Sequence, residues 1–214
     1  MGFCLAVVGM GGAAAVELAS RIFAESTLEI FESNTSRSEE DVLKQVQKAY
    51  SFANKKILEH VTQNPHHKGM GCTAELLAFS DQGFVLGHIG DSRTYRLRNG
   101  QLQQLTHDHT LVQQQVDEGL ISSDRAKNHP LRNVILRAVG LDKELALDLI
   151  RGKIISGDLF LLCSDGLTAM VPDNQIQEIL CSDIDINWKL DKLIETAKAA
   201  GGDDNVTVVM SAII

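Results

Sequence analysis

Three stretches of this sequence place an aspartate where an apolar run gives out. Leu159-Phe160-Leu161-Leu162-Cys163 ends in Ser164-Asp165-Gly166, and Phe84-Val85-Leu86-Gly87-His88-Ile89-Gly90 runs into Asp91-Ser92-Arg93. Near the C-terminus, Gly201-Gly202-Asp203-Asp204-Asn205 leads into Val206-Thr207-Val208-Val209-Met210. Short apolar runs bounded by glycine and aspartate are the pattern of buried strands. An aspartate at such a boundary sits at the strand's rim, where the chain turns. Any one of them is an ordinary turn residue, but their recurrence could gather three carboxylates at one edge of a core. Such a group repels itself unless a cation lies between the charges. Oxygen ligands point to Mg²⁺ or Mn²⁺. Two such ions on shared carboxylates make a bridging water nucleophilic and clamp a phosphoryl group, so the chemistry is metal-assisted phosphate ester hydrolysis.

Other candidate sites are weaker. No cysteine or histidine has the spacing of a zinc site. His66-His67 reads as a solvated turn after Asn64-Pro65, because sequence neighbours seldom ligate together. The H-x-H of Thr106-His107-Asp108-His109-Thr110 falls between a strand and a helix and reads as a structural loop. Val7-Val8-Gly9-Met10-Gly11-Gly12-Ala13-Ala14 imitates a dinucleotide-binding start, with Glu32 downstream. That reading needs strands alternating with helices, whereas residues 72–105 carry almost only strand patterns. Cys4, Cys72, Cys163 and Cys181 are widely spaced and read as buried, reduced thiols of a cytoplasmic protein rather than a disulfide or zinc framework.

The elements that must position the aspartates can be read from periodicity. A chain of 214 residues with 44% apolar and 22% charged residues supports one domain over 1–214 with a core of its own. A net charge of −8 disfavours general nucleic-acid binding. No apolar run approaches the length of a membrane span. The patterns predict a strand over 3–8 and helices over 13–31 and 39–61, the first with Ala14, Leu18, Ile22 and Phe23 on its apolar face. Ser38 and Asp41 cap the second helix. Strands over 72–79, 84–89, 94–98 and 101–105 follow as successive antiparallel neighbours, with a hairpin at Asn99-Gly100. Short helices over 111–119 and 122–128, strands over 134–139 and 145–150, helices over 173–180 and 186–200, and a last strand over 205–214 complete the expectation.

These stretches resemble the PP2C (PPM) family of metal-dependent serine/threonine protein phosphatases, in its short bacterial form. The resemblance rests on Gly9-Met10-Gly11-Gly12, Gly69-Met70-Gly71-Cys72-Thr73, Gly90-Asp91-Ser92-Arg93 with Tyr95, and Leu105-Thr106-His107-Asp108-His109-Thr110. It continues through His129-Pro130, residues 133–140, Gly157-Asp158, Leu161-Leu162-Cys163-Ser164-Asp165-Gly166-Leu167 and Gly201-Gly202-Asp203-Asp204-Asn205-Val206-Thr207. It implies an α+β fold, a four-layer α/β/β/α sandwich of two antiparallel sheets flanked by helices. It implies hydrolysis of phosphoserine and phosphothreonine by a water activated by a dinuclear Mg²⁺ or Mn²⁺ centre. Asp165 and Asp204 match ligands of that centre, Gly9 matches the glycine that offers a carbonyl to one ion, and Asp91 matches the ligand of a third ion. Residues 111–130 match the flap beside the active site. The implied partners are a phosphorylated protein and a paired Ser/Thr kinase, in the cytoplasm and in signalling, without nucleic acid or membrane.

The sequence also departs from the family pattern. Val8 stands where the family has the aspartate that bridges both metals, Val16 where a glycine is usual, and Ala169 where many members have an aspartate. The family's first strand, with a phosphate-gripping arginine and an acidic pair, would precede Met1, so no catalytic residue of that segment is assigned here. The expectation is a centre short of carboxylates, impaired hydrolysis, and an exposed sheet edge that favours dimerisation. The alternative is a phosphatase-like domain that acts by binding.

Overall fold

The computed structural model describes residues 2–11, 13–33 and 36–214, with Ala13 and Ala14 described by their backbone alone. Gly12 of the glycine loop, Asn34-Thr35 of the polar stretch and the Ala14 side chain lie outside the described residues. The chain begins with β1 (Phe3–Met10), α1 (Ala13–Glu32), α2 (Glu39–Gln63) and a 3-10 turn (Pro65–His67). Then come β2 (Gly71–Phe79), β3 (Phe84–Ile89), β4 (Arg93–Arg98), β5 (Gln101–Gln104), α3 (Leu111–Asp117) and α4 (Ser123–Lys127). The last part holds β6 (Asp148–Gly152), β7 (Leu159–Cys163), α5 (Asp165–Thr168), α6 (Asp173–Cys181), α7 (Ile186–Ala199) and β8 (Val208–Ala212).

Two four-stranded sheets, ordered β1-β2-β3-β6 and β5-β4-β7-β8, carry only antiparallel pairings. Helices α1 and α2 pack on the outer face of the first sheet, and α6 and α7 on that of the second. Between the sheets lie Ala6, Leu77, Phe84, Leu86, Phe160 and Leu162. This layering explains why β2 is buried along nearly its whole length: one face meets helices and the other meets the second sheet. Helix α2 starts as its sequence requires, with the Ser38 Oγ accepting from the Asp41 N–H at 3.2 Å and three acidic residues in the first turn. Its buried face is Val42, Val46, Ala49, Ala53 and Ile57. Tyr50 reaches through to the sheet, with its hydroxyl 2.7 Å from the Gly87 carbonyl. Gly87 must lack a side chain there, since a Cβ would fall 2.5 Å from the Tyr50 ring.

Several expectations need correction. Residues 84–105 do not form one meander: β3 belongs to the first sheet and β4 to the second, so the chain crosses between sheets at Gly90-Asp91-Ser92. Residues 134–139 form no strand. They skirt the sheet and make isolated bridges at Ile135 to Thr110 and Val139 to Cys72, leaving Val134 and Leu136 exposed. The strand expected at 145–150 is shifted to Asp148–Gly152, where pairing with β3 fixes its register. The last strand is shorter than expected, at Val208–Ala212. The dinucleotide-binding reading also fails, because β1 pairs antiparallel with β2 and no parallel crossover exists among the described residues. Strands β1 and β8 each pair on one side only, and both are half-buried.

Candidate metal centre at the rim of the sandwich

Strand register brings the aspartates together. Arg93 of β4 pairs with Cys163 at the end of β7, and just beyond this pair Asp91 and Asp165 come near enough for Asp165 to act on Asp91 electrostatically. Asp204 arrives from the other side of β7. The Ser164 N–H donates to the Thr207 carbonyl at 3.0 Å, and the Ser164 Oγ donates to the Asn205 carbonyl at 3.1 Å. Gly166 lets α5 settle on this segment, since a Cβ there would lie 2.4 Å from the Asn205 carbonyl oxygen. Three predicted ligands thus come from three chain segments at one end of the second sheet.

Their electrostatics are those of carboxylates facing one another. Burial pushes the Asp91 carboxyl up to about 7, with Asp165 and Asp108 adding to the rise. Burial also raises Asp165, and Asp204 and then Asp108 raise it further. A hard divalent cation among Asp91, Asp165 and Asp204 would answer this repulsion.

Val8 lies in β1 opposite Thr73 of β2, and the Thr73 Oγ1 is 2.9 Å from the Ser92 Oγ, next to Asp91. Gly90 rests on Thr73, where a Cβ would fall 2.4 Å from the Thr73 Cβ. Val8 is thus one strand away from the crossing that carries Asp91, yet it offers a branched apolar side chain. Gly9 has a steric reason of its own, since a Cβ would meet the Val16 carbonyl oxygen at 1.9 Å. Val16 makes this approach with its backbone, so its side chain is tolerated. Ala169 closes α5, its N–H donating to the Asp165 carbonyl at 2.8 Å.

Sequence reading missed the groups that hold this rim in place. Arg93 donates to Asp108 from Nε at 2.9 Å and Nη2 at 2.7 Å, a fork that places a cation beside the aspartates. Arg93 Nη1 also donates to the Tyr95 hydroxyl at 3.1 Å, which donates to Asp173 at 3.0 Å. The two histidines of the H-x-H separate. His107 turns outward to Asp117 at 2.7 Å, while buried His109 points inward. The His109 N–H donates to the Gly90 carbonyl at 2.8 Å, and the Gly90 N–H donates to His109 Nδ1 at 3.1 Å. This two-way clamp fixes the residue before Asp91.

A buried pair stands behind the clamp. Glu75 and His88 face each other across β2 and β3, both fully buried and hydrogen-bonded. Thr94 donates to the second Glu75 oxygen at 2.7 Å, and His88 Nε2 donates to the His107 carbonyl at 2.8 Å. The His88 ring lies 4.5 Å from that of His109. One signal existed in the sequence: a lone Glu and a lone His interrupt two otherwise apolar strands.

Residues 2–205 match the sequence profile of the family described as Protein phosphatase 2C. The chain belongs to the protein phosphatase 2C family. It is 36% identical over 203 residues to the Serine/threonine phosphatase stp of Listeria monocytogenes, covering 94% of this chain and 81% of that protein. The crystal structure of the Mycobacterium tuberculosis serine/threonine phosphatase PstP/Ppp superposes with a TM-score of 0.92 at 37% identity, covering 99% of this chain and 88% of that one. A structure of the PstP catalytic domain in complex with two manganese ions superposes with a TM-score of 0.89 at 35% identity, with the same coverages of 99% and 88%. Two antiparallel sheets flanked by helices are therefore this family's fold, as the sequence led us to expect. No helix among the described residues is long and apolar enough to cross a membrane.

Proposed function

We propose that this chain is a single-domain protein serine/threonine phosphatase of the 2C type, acting on phosphoserine and phosphothreonine, with a cation centre weakened at Val8. The observation that carries the reading is the gathering of Asp91, Asp165 and Asp204 at one rim, where, on top of burial, Asp165 raises Asp91 and Asp204 raises Asp165. Divalent Mg²⁺ or Mn²⁺, when bound, lowers the pKa of water and supplies the nucleophilic hydroxide. Asp165 and Asp204 are the residues to hold a cation, Asp91 lines a neighbouring position, and the Gly9 carbonyl completes the assignment. The Arg93–Asp108 fork and the His109 clamp keep Asp91 in register. Residues 111–130, with α3 and α4, are the surface beside the rim for a phosphorylated protein. A paired Ser/Thr kinase is the natural source of that substrate, and the half-buried β1 and β8 edges are where a second copy would add.

Val8 favours a second reading, a phosphatase fold that docks phosphoproteins without hydrolysing them. Calorimetric titration with Mn²⁺, run alongside p-nitrophenyl phosphate and phosphopeptide hydrolysis, separates the two. Binding with turnover supports the enzyme. Phosphopeptide binding without turnover at saturating Mn²⁺ supports the docking module and overturns the first reading.

A further inference from the structure

Glu75 and His88 are shut off from solvent on the inner face of the first sheet, two residues from Leu77 and Leu86 of the inter-sheet core. A buried ionisable pair adds little stability over apolar residues of the same volume, so its partners are where its use must be sought. The His107 carbonyl can only accept, so His88 Nε2 carries a proton to it at 2.8 Å. A second proton lies between His88 Nδ1 and the Glu75 carboxyl. The other Glu75 oxygen accepts from the Thr94 Oγ1 at 2.7 Å, and the Thr94 N–H donates to the Thr106 Oγ1 at 3.1 Å. Both branches that leave the pair therefore end on one loop, at Thr106 and at His107. That loop holds the aspartate crossing from both sides. Its His109 exchanges two hydrogen bonds with Gly90, and its Asp108 takes the Arg93 guanidinium.

We propose that Glu75 and His88 are positioning residues, which set the Asp91 carboxylate for its cation by tethering residues 106–109 to the core. The inference rests on the reading of Asp91 as part of the cation centre. Neither residue reaches the rim itself. Each acts through the loop, and every link beyond the pair is a hydrogen bond between 2.7 and 3.1 Å. Without the pair, Thr106 and His107 lose their hold on the core, and His109 and Asp108 no longer fix the residues on either side of Asp91. Removing such outer partners of a ligand lowers metal affinity by about 10- to 100-fold.

The test replaces both partners at once. Glu75→Leu combined with His88→Phe fills the space with apolar groups and leaves no buried charge unpaired, so the fold is retained while the tethers are lost. Mn²⁺ affinity of the full chain should fall at least about tenfold without a matching loss of stability. Exchange of the Gly90 N–H, read without metal, should speed up beyond any change in global unfolding. Glu75→Gln can donate to His88 Nδ1 and accept from Thr94, and should keep most of the Mn²⁺ affinity. Thr106→Val cuts one tether, leaves the pair in place and should show a smaller loss of the same kind; it decides the matter if the double variant does not fold. Mn²⁺ affinity and Gly90 exchange both unchanged in the folded variant overturn the proposal. A parent chain that binds no Mn²⁺ overturns the cation reading instead, and Gly90 exchange alone then decides whether the pair positions the crossing.

Discussion

Asp91 and Asp165 meet at the rim just beyond Arg93–Cys163, the last pair of β4 and β7, and Asp165 raises the pKa of Asp91. The relation joins residues distant in sequence through the pairing of the strands that lead to them. It also couples two turn residues electrostatically, since the Asp165 charge makes Asp91 harder to ionise.

The first prediction concerns the missing carboxylate. Val8→Asp places an acid on β1 at the rim and should raise Mn²⁺ affinity and p-nitrophenyl phosphate turnover at least about tenfold. Calorimetry and steady-state kinetics check it. Unchanged affinity would mean that Val8 is not what limits the centre.

Asp165→Asn removes one side of the repulsion. Without divalent ions the variant should be more stable than the parent, since the raised Asp165 marks an unfavourable charge. With Mn²⁺ the order should reverse. Urea unfolding with chelator and with metal reads both arms, and a variant destabilised in both conditions contradicts the assignment.

His109 sets a pH dependence. Burial, with His88 next, holds its pKa down at about 4, against an ordinary imidazole near 6.5. The folded state keeps His109 neutral over a range where the unfolded chain protonates it. Its contribution is thus fully present above about pH 6.5 and is lost as pH falls toward 4, amounting to about 2 kcal/mol. His109→Asn keeps an acceptor for the Gly90 N–H and should flatten this part of the stability–pH curve. An unchanged slope between pH 6.5 and 4 would remove His109 from the account.

The Glu75–His88 pair gives a stability prediction. Glu75→Ala strands His88 in the core and takes the acceptor from Thr94, costing about 3–5 kcal/mol. Glu75→Gln keeps an acceptor for Thr94 and should cost less. Chemical denaturation of both variants checks the order, and a reversed order would show that the charge of Glu75 contributes nothing.

The sequence by itself determined the local pieces and the family. Periodicity and punctuation placed α2 between its Ser38 cap and Asn64, bounded β7 by Gly157-Asp158 and Asp165, and marked Asp91, Asp165 and Asp204 as rim residues. These are short-range effects of capping, turn chemistry and alternation, readable within a few residues. Tertiary structure alone decided that β3 and β4 part into different sheets, because a glycine turn looks the same whether it closes a hairpin or crosses a sandwich. It alone showed that residues 134–139 bridge without pairing, and that Arg93 takes Asp108, Glu75 takes His88 and His60 takes His67. Those partners are separated in sequence, and side chains meet across such distances only after sheet register and helix docking have fixed where each one points.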